Sequence, residues 1–409
     1  MTAPEPPANP ERAMTSLSIV IPALNEADGI ADIANRVMGI RAALVAAGVP
    51  TLELIVVDDG STDDTAAIAE GVAGVTVIRH GRNQGYGAAI KTGFRAAKGD
   101  MLAFLDADGT YPPEAFPELC RSLAAQGADI VVGSRMAGEE SGMPLVRRLG
   151  NSFFARLVSL TSGQKISDSA SGQRVLRREV LARVYPLPDG LNFTPVMTTR
   201  AIHEGLRMVE VPIRYEERVG RSKLSVIHDG RRFLTTILWT AMGYNPGRVL
   251  ALAGVLLAGL GTLSGIGLVA MRLGGITQLS PWGVAAAFAA LIGGVAGTSL
   301  VNLGITFNYL VSLFHRIPVQ QGLFGRPIIP RFDRHFGWLG LIVGGVGLLM
   351  GAAALGLGFG GWEIQRLWLW LLGAALFQLT GLQMILSWIL VRVLEELSMR
   401  EARTATEIG

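Results

Sequence analysis

The chain has 409 residues, of which half are hydrophobic and only 17% are charged. This length accommodates two domains, and a formal net charge of +3 is too small to indicate a nucleic-acid partner. The single cysteine, Cys120, excludes an intramolecular disulfide, which fits a cytosolic location for the charged part of the chain. Residues before Arg248 alternate apolar and charged side chains as a globular domain does, and charge nearly disappears after it.

The first fourteen residues are rich in Pro and Ala and lack a long apolar core, so they are not a signal peptide. We expect a disordered tail. Beyond it, apolar periodicity predicts strands at residues 16–24, 52–58, 75–79, 101–105 and 129–133. Helices are predicted between them at residues 31–47, 64–71, 87–97 and 113–125. This alternation predicts an α/β domain with a mainly parallel, Rossmann-like sheet, whose ligands bind at the carboxyl ends of the strands.

Two later segments have the pattern of basic amphipathic helices, which lie at a membrane surface. Residues 145–160 place Phe153 and Phe154 beside several arginines, and residues 231–244 do the same with Trp239. The alternative is that both are ordinary surface helices of the globular domain. The second segment leads directly into apolar sequence, which favours the membrane interpretation for it.

Four apolar segments follow, and each exceeds the roughly 20 residues that cross a bilayer. They are residues 249–271, a run from Pro281 to Phe314, residues 337–362 and residues 367–391. The loop after the second span carries four arginines and the C-terminal tail carries three, whereas the other two loops carry one each. The positive-inside rule therefore predicts that both termini and the middle loop are cytoplasmic.

The ends of the predicted strands carry the candidate chemistry. The second strand ends in Asp58 and Asp59, and the fourth runs into Asp106-Ala107-Asp108. Mg2+ commonly takes one or two protein carboxylates and completes its coordination with water and phosphate, so these ends suit a nucleotide with a divalent metal. The alternative is that the carboxylates are turn or helix-capping residues. Pro22 and Glu26 follow the first strand at the same edge, where Glu26 has the same capping alternative.

Basic residues are candidates for binding phosphate, because a guanidinium donates paired hydrogen bonds to it. The candidates are Arg135, Arg148, Arg174, Arg218, Arg221 and Lys223. Most arginines are merely solvated, but Arg174 and Lys223 stand in compact polar motifs, at residues 168–174 and 218–223, which favours a function for these two. The glycine-containing loop at residues 82–87 matches neither a P-loop nor a dinucleotide fingerprint. The five histidines lack metal-ligand spacing, and no motif for a covalent nucleophile occurs.

Taken in order, these motifs resemble the family 2 glycosyltransferases of the GT-A fold, and among them the polyprenyl-phosphate glycosyltransferases. The resemblance covers about residues 17–223. It rests on Ile21-Pro-Ala-Leu-Asn-Glu26, Val57-Asp-Asp-Gly-Ser-Thr-Asp63, Asn83-Gln-Gly-Tyr-Gly87, Asp106-Ala-Asp108, Gly133-Ser-Arg135, Ser171-Gly-Gln-Arg174 and Gly220-Arg-Ser-Lys223.

The resemblance implies a role for each matching residue. The nucleoside would be held by Pro22, Glu26 and Asp59. The ribose, the metal (Mg2+ or Mn2+) and the diphosphate would be bound by Asp106 and Asp108. Arg135, Arg148 and Ser152 would receive the lipid phosphate, Asp168 and Arg174 would complete the catalytic pocket, and Arg218, Ser222 and Lys223 would close over the diphosphate. The chain departs from the pattern at Thr110, where mannose synthases often have Gln, and at Gln173, where an aromatic residue is usual.

These observations predict a membrane enzyme that transfers a hexose, with inversion, from a nucleotide sugar to a polyprenyl phosphate on the cytoplasmic leaflet. A processive polysaccharide synthase is the alternative enzyme, but its Gln-x-x-Arg-Trp motif does not occur. A transport subunit with a degenerate nucleotide-binding domain is the non-enzymatic alternative. A homo-oligomer is compatible with the sequence. The predicted organisation is a tail (residues 1–14), a GT-A domain (15–227), an interfacial helix (228–247), four spans (248–393) and a cytoplasmic tail (394–409).

Overall fold

A computed structural model describes residues 14–136, 143, 145–162, 164–216, 226–315 and 335–408. The chain divides into two compact units, Met1–Ala241 and Met242–Gly409. The predicted organisation, a GT-A domain at residues 15–227 and an interfacial helix at residues 228–247, stays a prediction.

The first unit is built on a seven-stranded sheet. Its strands are β1 (Ser16–Ala23), β2 (Thr51–Asp58), β3 (Val75–Arg79), β4 (Met101–Phe104), β5 (Ile130–Ser134), β6 (Arg174–Arg177) and β7 (Met208–Pro212). Their order is β3-β2-β1-β4-β6-β5-β7, and only β6 runs antiparallel to its neighbours, β4 and β5. The predicted, mainly parallel sheet is confirmed. Strands β6 and β7 were not predicted.

Helices cover both faces of this sheet. The helices described before Asn245 are α1 (Ile30–Gly39), α2 (Arg41–Ala46), α3 (Thr65–Glu70), α4 (Tyr86–Ala96), α5 (Phe116–Ala125), α6 (Leu145–Ser162), α7 (Leu181–Val184), α8 (Phe193–His203) and α9 (Val226–Tyr244). The helix predicted over residues 31–47 is instead two helices, because the chain breaks at Ile40 after a glycine, which has low helix propensity. Residues 113–115 form a 3-10 turn before α5.

Each face of the sheet has its own hydrophobic core. Alternate residues of β1 point to opposite faces, so that Ile19 and Ile21 join one buried cluster and Val20 joins the other. Strand β2 divides in the same way, with Val56 in the first cluster and Val57 in the second. Burial on both faces explains why these strands read as continuous apolar runs.

The second unit contains four helices that are long and apolar enough to cross a membrane, as predicted. They are α10 (Pro246–Leu273), α11 (Pro281–His315), α12 (Phe336–Phe359) and α13 (Ile364–Ile408). Helix α13 continues through the segment predicted as a separate tail, since no residue in it interrupts the helical pattern before Ile408.

Helices α10 and α11 approach each other closely through glycines. A Cβ built on Gly254 would lie 2.6 Å from the carbonyl oxygen of Gly297, and one on Gly261 would lie 2.6 Å from the amide nitrogen of Gly294. The pair α12 and α13 repeats this arrangement, because a Cβ on Gly340 would lie 2.7 Å from the carbonyl oxygen of Gly381. Small residues permit such backbone contact between membrane helices.

Candidate active site

The acidic strand ends lie at one edge of the sheet. Strands β2, β1 and β4 are adjacent and parallel, so their carboxyl ends meet there. Pro22 is buried in β1 opposite Val57 of β2, and Asp58 and Asp59 end the neighbouring strand. The sequence predicts that these motifs converge on one edge of the sheet, and this topology brings their strand ends together there.

The loop after β1 is tied to the loop after β2. The amide of Asn25 donates to Ser61 Oγ (2.9 Å), and the amide of Glu26 donates to Thr65 Oγ1 (2.9 Å). Asn25 has a φ of 50°, in the left-handed region that Asn tolerates better than most residues. Helix α1 begins after Gly29, and the backbone carbonyl oxygen of Glu26 accepts from the amides of Gly29 (3.1 Å) and Ile30 (3.0 Å). The capping alternative for the Glu26 side chain stays open. Its contact with a nucleoside stays a prediction.

Asp59 holds the loop that precedes α4. Its carboxylate accepts hydrogen bonds from the amides of Gln84 (2.9 Å) and Gly85 (2.8 Å), and it lies 2.7 Å from Nδ1 of His80. The second ring nitrogen of His80 lies 3.0 Å from Thr92 Oγ1. Asp59 is buried, and these bonds give it a structural role. Its predicted contact with the nucleoside remains a prediction.

Asp106 and Asp108 follow β4 on one short turn. The hydroxyl of Tyr86 donates to Asp106 Oδ1 (2.6 Å), and the backbone of Gly172 packs against the same carboxylate. The hydroxyl and the amide of Thr110 both donate to Asp108 Oδ1, at 2.6 and 3.1 Å. Thr110, where the family resemblance anticipates Gln, therefore orients the second aspartate.

The donor set fits a cation that shares its coordination with a phosphate. Within the part of the chain that the structure describes, no three His, Cys, Asp or Glu side chains are grouped to hold a metal. Two carboxylates two residues apart suit Mg2+ or Mn2+, because Mg2+ is usually held by one or two carboxylates together with water and substrate phosphates. The residues present fit such an ion only when a nucleotide completes the site.

Arg135 and Asp168 form a buried ion pair beside this edge. Nε and Nη2 of Arg135 donate to the two carboxylate oxygens of Asp168 at 2.8 and 2.7 Å, and the amide of Arg135 donates as well (3.0 Å). The guanidinium lies 5.7 Å from the ring centroids of both Tyr111 and Tyr215. Burial disfavours the ionised carboxylate, but the charge and hydrogen bonds of Arg135 outweigh it, so the pKa of Asp168 is lowered.

Glu210 supports Asp168 and was not identified from the sequence. Its carboxylate accepts from the amide of Asp168 (2.8 Å) and from both the amide (3.0 Å) and the hydroxyl (2.8 Å) of Ser167. Glu210 lies in β7, within Met-Val-Glu-Val-Pro. The feature of the sequence that could have identified Glu210 is a single carboxylate within a short apolar segment.

Arg174 is completely buried at the start of β6. Its guanidinium donates to the carbonyl oxygens of Ser171 (3.1 Å) and Ser169 (2.9 Å) and to Thr198 Oγ1 (2.8 Å). Burial lowers the pKa of Arg174 to about 10. These bonds shape the loop that brings Gly172 against Asp106, while its predicted role in the catalytic pocket stays untested.

Gln173 replaces the usual aromatic residue and connects two loops. Its side-chain NH2 group donates to the carbonyl oxygen of Pro112 (2.8 Å), and its side-chain oxygen Oε1 is buried without a hydrogen-bond partner among the described residues. A hydrogen bond thus holds Gln173 in place, whereas an aromatic ring at this position would be held by apolar contacts.

Arg148 and Ser152 lie on α6, with Arg148 exposed and Ser152 half-buried. Among the described residues, no hydrogen bond or ion pair joins either of them to Arg135, and the role of the three residues in binding the acceptor phosphate stays a prediction. Arg218, Ser222 and Lys223 lie outside the described residues. Their predicted closure over the diphosphate stays a prediction.

Helices α6 and α9 pack together and expose apolar side chains. The rings of Phe154 and Phe233 are 5.9 Å apart, and Val158 and Ile237 share a small buried cluster with Ile202. Leu145 on α6 is 72% exposed and Trp239 on α9 is 68% exposed. This exposure accords with the interfacial interpretation of both helices, which remains a prediction.

Comparison with known proteins gives two matched regions. Residues 18–185 match Glycosyl transferase family 2, and residues 246–405 match a domain of unknown function (DUF8752). The undecaprenyl-phosphate 4-deoxy-4-formamido-L-arabinose transferase of Klebsiella pneumoniae subsp. pneumoniae is 30% identical over 322 residues, which are 76% of this chain and 93% of that protein.

A second relative is the low-salt glycan biosynthesis hexosyltransferase Agl6 of Haloferax volcanii. It is 34% identical over 247 residues, which are 59% of this chain and 58% of that protein, so this chain spans little more than half of that relative's length. Among solved structures, glucosyl-3-phosphoglycerate synthase from Mycobacterium tuberculosis, in complex with Mn2+, UDP and phosphoglyceric acid, matches with a TM-score of 0.47 and 22% identity. The match covers 56% of this chain and 78% of that one.

Proposed function

We propose, from the premise that the chain belongs to glycosyl transferase family 2, that this enzyme transfers a hexose from a UDP- or GDP-linked sugar to the phosphate of a polyprenyl phosphate. The observation that carries the proposal is the gathering of Asp106, Asp108 and the Ser171–Arg174 motif at the carboxyl edge of the sheet. The relative named for undecaprenyl phosphate, of which this chain covers 93%, supports the acceptor class.

Asp106 and Asp108 would hold Mg2+ or Mn2+ against the diphosphate of the donor. The cation supplies neutralisation of the negative charge that grows on the diphosphate as it leaves. The hydroxyls of Tyr86 and Thr110 donate hydrogen bonds to these two carboxylates. Pro22, Glu26 and Asp59 would lie against the nucleoside at the neighbouring strand ends.

The acceptor needs little help with deprotonation, because a phosphate monoester is already anionic near neutral pH. Asp168 is paired with Arg135, which makes it a poor general base and suits it to positioning that arginine. Catalysis then depends mainly on orientation and charge neutralisation. Attack by the acceptor oxygen on the face opposite the diphosphate would invert the anomeric carbon.

Arg148 and Ser152 would bring the lipid phosphate to the sheet edge from the membrane surface. The exposed apolar residues of α6 support this, since they surround an exposed arginine on one helix. The distribution of arginines in the loops supports a cytoplasmic catalytic domain with both termini on the same side.

Transfer assays on the purified full-length protein test the proposal. A panel of radiolabelled UDP- and GDP-hexoses is incubated with undecaprenyl phosphate and Mn2+ or Mg2+, and we expect one donor to yield a lipid product carrying a single sugar. EDTA should stop the reaction and added metal should restore it. Asp108→Asn should abolish transfer without unfolding the protein, whereas Glu118→Gln on the exposed face of α5 should retain it.

Three results would contradict the proposal. Full activity in EDTA would contradict the proposed requirement for a metal ion. A polymeric product would favour the processive synthase. Hydrolysis of the nucleotide sugar without transfer to any lipid would contradict a polyprenyl phosphate acceptor.

A further inference from the structure

Tyr86 is the first residue of α4, and its hydroxyl donates a 2.6 Å hydrogen bond to Asp106 Oδ1. We infer that Tyr86 is a positioning residue that sets the orientation of Asp106 for the metal–nucleotide complex. The inference rests on the proposed function, because it assigns Asp106 to that complex. No local pattern links the two side chains, which stand twenty residues apart and follow different strands.

The Tyr86 ring is held by aromatic packing. It meets Phe193 edge-on at 6.5 Å between centroids, and Phe193 in turn meets Phe104 of β4 at 5.9 Å. Phe104 lies two residues before Asp106. The same aromatic cluster therefore fixes both the tyrosine and the strand end that carries its partner.

The backbone around Tyr86 has little room to move. A Cβ built on Gly85 would lie 2.5 Å from the carbonyl oxygen of Asp189, and one on Gly87 would lie 2.9 Å from the Phe193 ring. The amide of Ala88 donates to that same carbonyl of Asp189 (3.1 Å). These contacts anchor the start of α4 against the loop that precedes α8.

That loop is in turn supported by α9. The side-chain amide of Asn192 donates to Thr236 Oγ1 (3.2 Å), and the guanidinium of Arg232 lies directly against Gly190. Helix α9 thus holds the loop before α8, and that loop holds the start of α4, where Tyr86 lies. A hydroxyl held this firmly restricts the rotamers of the carboxylate that it binds.

The opposite side of the Asp106 carboxylate is closed by backbone. A Cβ on Gly172 would lie 2.7 Å from Asp106 Cγ, so the loop before β6 leaves no space for the carboxylate to swing that way. Tyr86 on one side and Gly172 on the other define a single carboxylate orientation.

The test is Tyr86→Phe in the full-length protein, because this change removes the hydroxyl and keeps the ring. Calorimetry with the nucleoside diphosphate of the active donor, with and without Mn2+, gives the metal-dependent part of the affinity. We expect that part to fall about tenfold or more, as is typical when a group that orients a metal ligand is lost. Affinity without metal and the KM for polyprenyl phosphate should stay unchanged.

Two controls separate positioning from a general loss of structure. Tyr185→Phe removes a hydroxyl from a partly exposed tyrosine elsewhere in the domain and should leave the Mn2+ effect as in the wild type. In an Asp106→Asn background, Tyr86→Phe should produce no further loss, since it acts through that carboxylate. Paramagnetic resonance of bound Mn2+ reports the same difference without turnover.

The outcomes distinguish this inference from the proposed function. Metal-dependent nucleotide binding that is equal in wild type and Tyr86→Phe would overturn the inference and leave the proposed function standing. A further tenfold loss in the Asp106→Asn background would also overturn it. Wild-type protein without any metal-dependent nucleotide binding would overturn both.

Discussion

The guanidinium of Arg135 grips both carboxylate oxygens of Asp168, at 2.8 and 2.7 Å, inside the domain. Sequence motifs indicate Arg135 as a ligand of the acceptor phosphate, yet two of its nitrogens are committed to an internal partner. A substitution at Arg135 therefore changes the stability of the domain together with its substrate site.

We expect Arg135→Ala to destabilise the catalytic unit by about 3–5 kcal/mol, because it leaves the Asp168 carboxylate buried without its partner. Thermal and denaturant unfolding in detergent measure the effect. The matched control is Arg121→Ala, which breaks the exposed pair with Glu118 on α5 and should cost less than about 1 kcal/mol. Equal losses in the two variants would argue against a structural role for the buried pair.

The same pair predicts acid sensitivity. The pKa of Asp168 is lower in the folded state than in the unfolded chain, where it is about 3.9. Its stabilising contribution is thus complete above about pH 4 and is lost as pH falls through the folded-state value. Unfolding free energies measured between pH 3 and 7 should fall more steeply at the acid end in the wild type than in Asp168→Asn. Parallel profiles would show that another carboxylate governs the transition.

Arg148 offers a cleaner test of the acceptor site than Arg135, since it is exposed on α6. If it binds the lipid phosphate, Arg148→Ala removes charge-assisted hydrogen bonds worth about 1.5–3 kcal/mol, or roughly tenfold or more in kcat/KM for polyprenyl phosphate. Binding of the free nucleoside diphosphate should not change. Kinetics with varied lipid and calorimetry with nucleotide, on the same preparation, measure both.

Arg156→Ala on the same helix is the control for Arg148. It removes an equal charge from the surface but from a residue outside the predicted acceptor group. A similar loss in both variants would indicate general attraction to anionic headgroups. A loss of nucleotide binding in Arg148→Ala would contradict the separation of donor and acceptor sites.

Membrane topology can be tested by cysteine labelling, because the one natural cysteine should not react with the thiol reagent. Cys120 is buried, and burial raises the pKa of its thiol to about 12. A cysteine at Gly274, exposed where α10 ends, should react with an impermeant thiol reagent from outside the cell. A cysteine at Gly322, in the arginine-rich middle loop, should react only after the membrane is permeabilised. The reverse pattern would contradict cytoplasmic termini.

The glycine contact between α10 and α11 should be sensitive to a single methyl group. Gly254→Ala places a Cβ against the Gly297 carbonyl, so we expect a lower unfolding temperature in detergent. Gly259→Ala is the control on the same helix, because a Cβ there meets no atom within 4 Å. Replacement of Gly by Ala should be neutral or stabilising at that position. Equal behaviour of the two variants would contradict the close packing.

Local patterns in the sequence predict much of the fold because the signals are short-range. The strand at residues 75–79 is observed with the predicted bounds, and most other strands and helices before Gly133 begin and end within a few residues of their prediction. Strand β6 escaped prediction because it has only four residues and runs antiparallel between β4 and β5. Its strand state depends on neighbours rather than on its own periodicity.

The residue types at the site were also legible in the sequence, because carboxylates and arginines that follow apolar strands stand out against their surroundings. The sequence alone determined the chain's family, its mainly parallel sheet, its four apolar helices and the acidic edge of the sheet. Only the tertiary structure decided that Arg135 pairs with Asp168, that Glu210 supports that pair and that Tyr86 binds Asp106. Those bonds join residues twenty or more positions apart on different elements, and their partners are selected by packing in three dimensions.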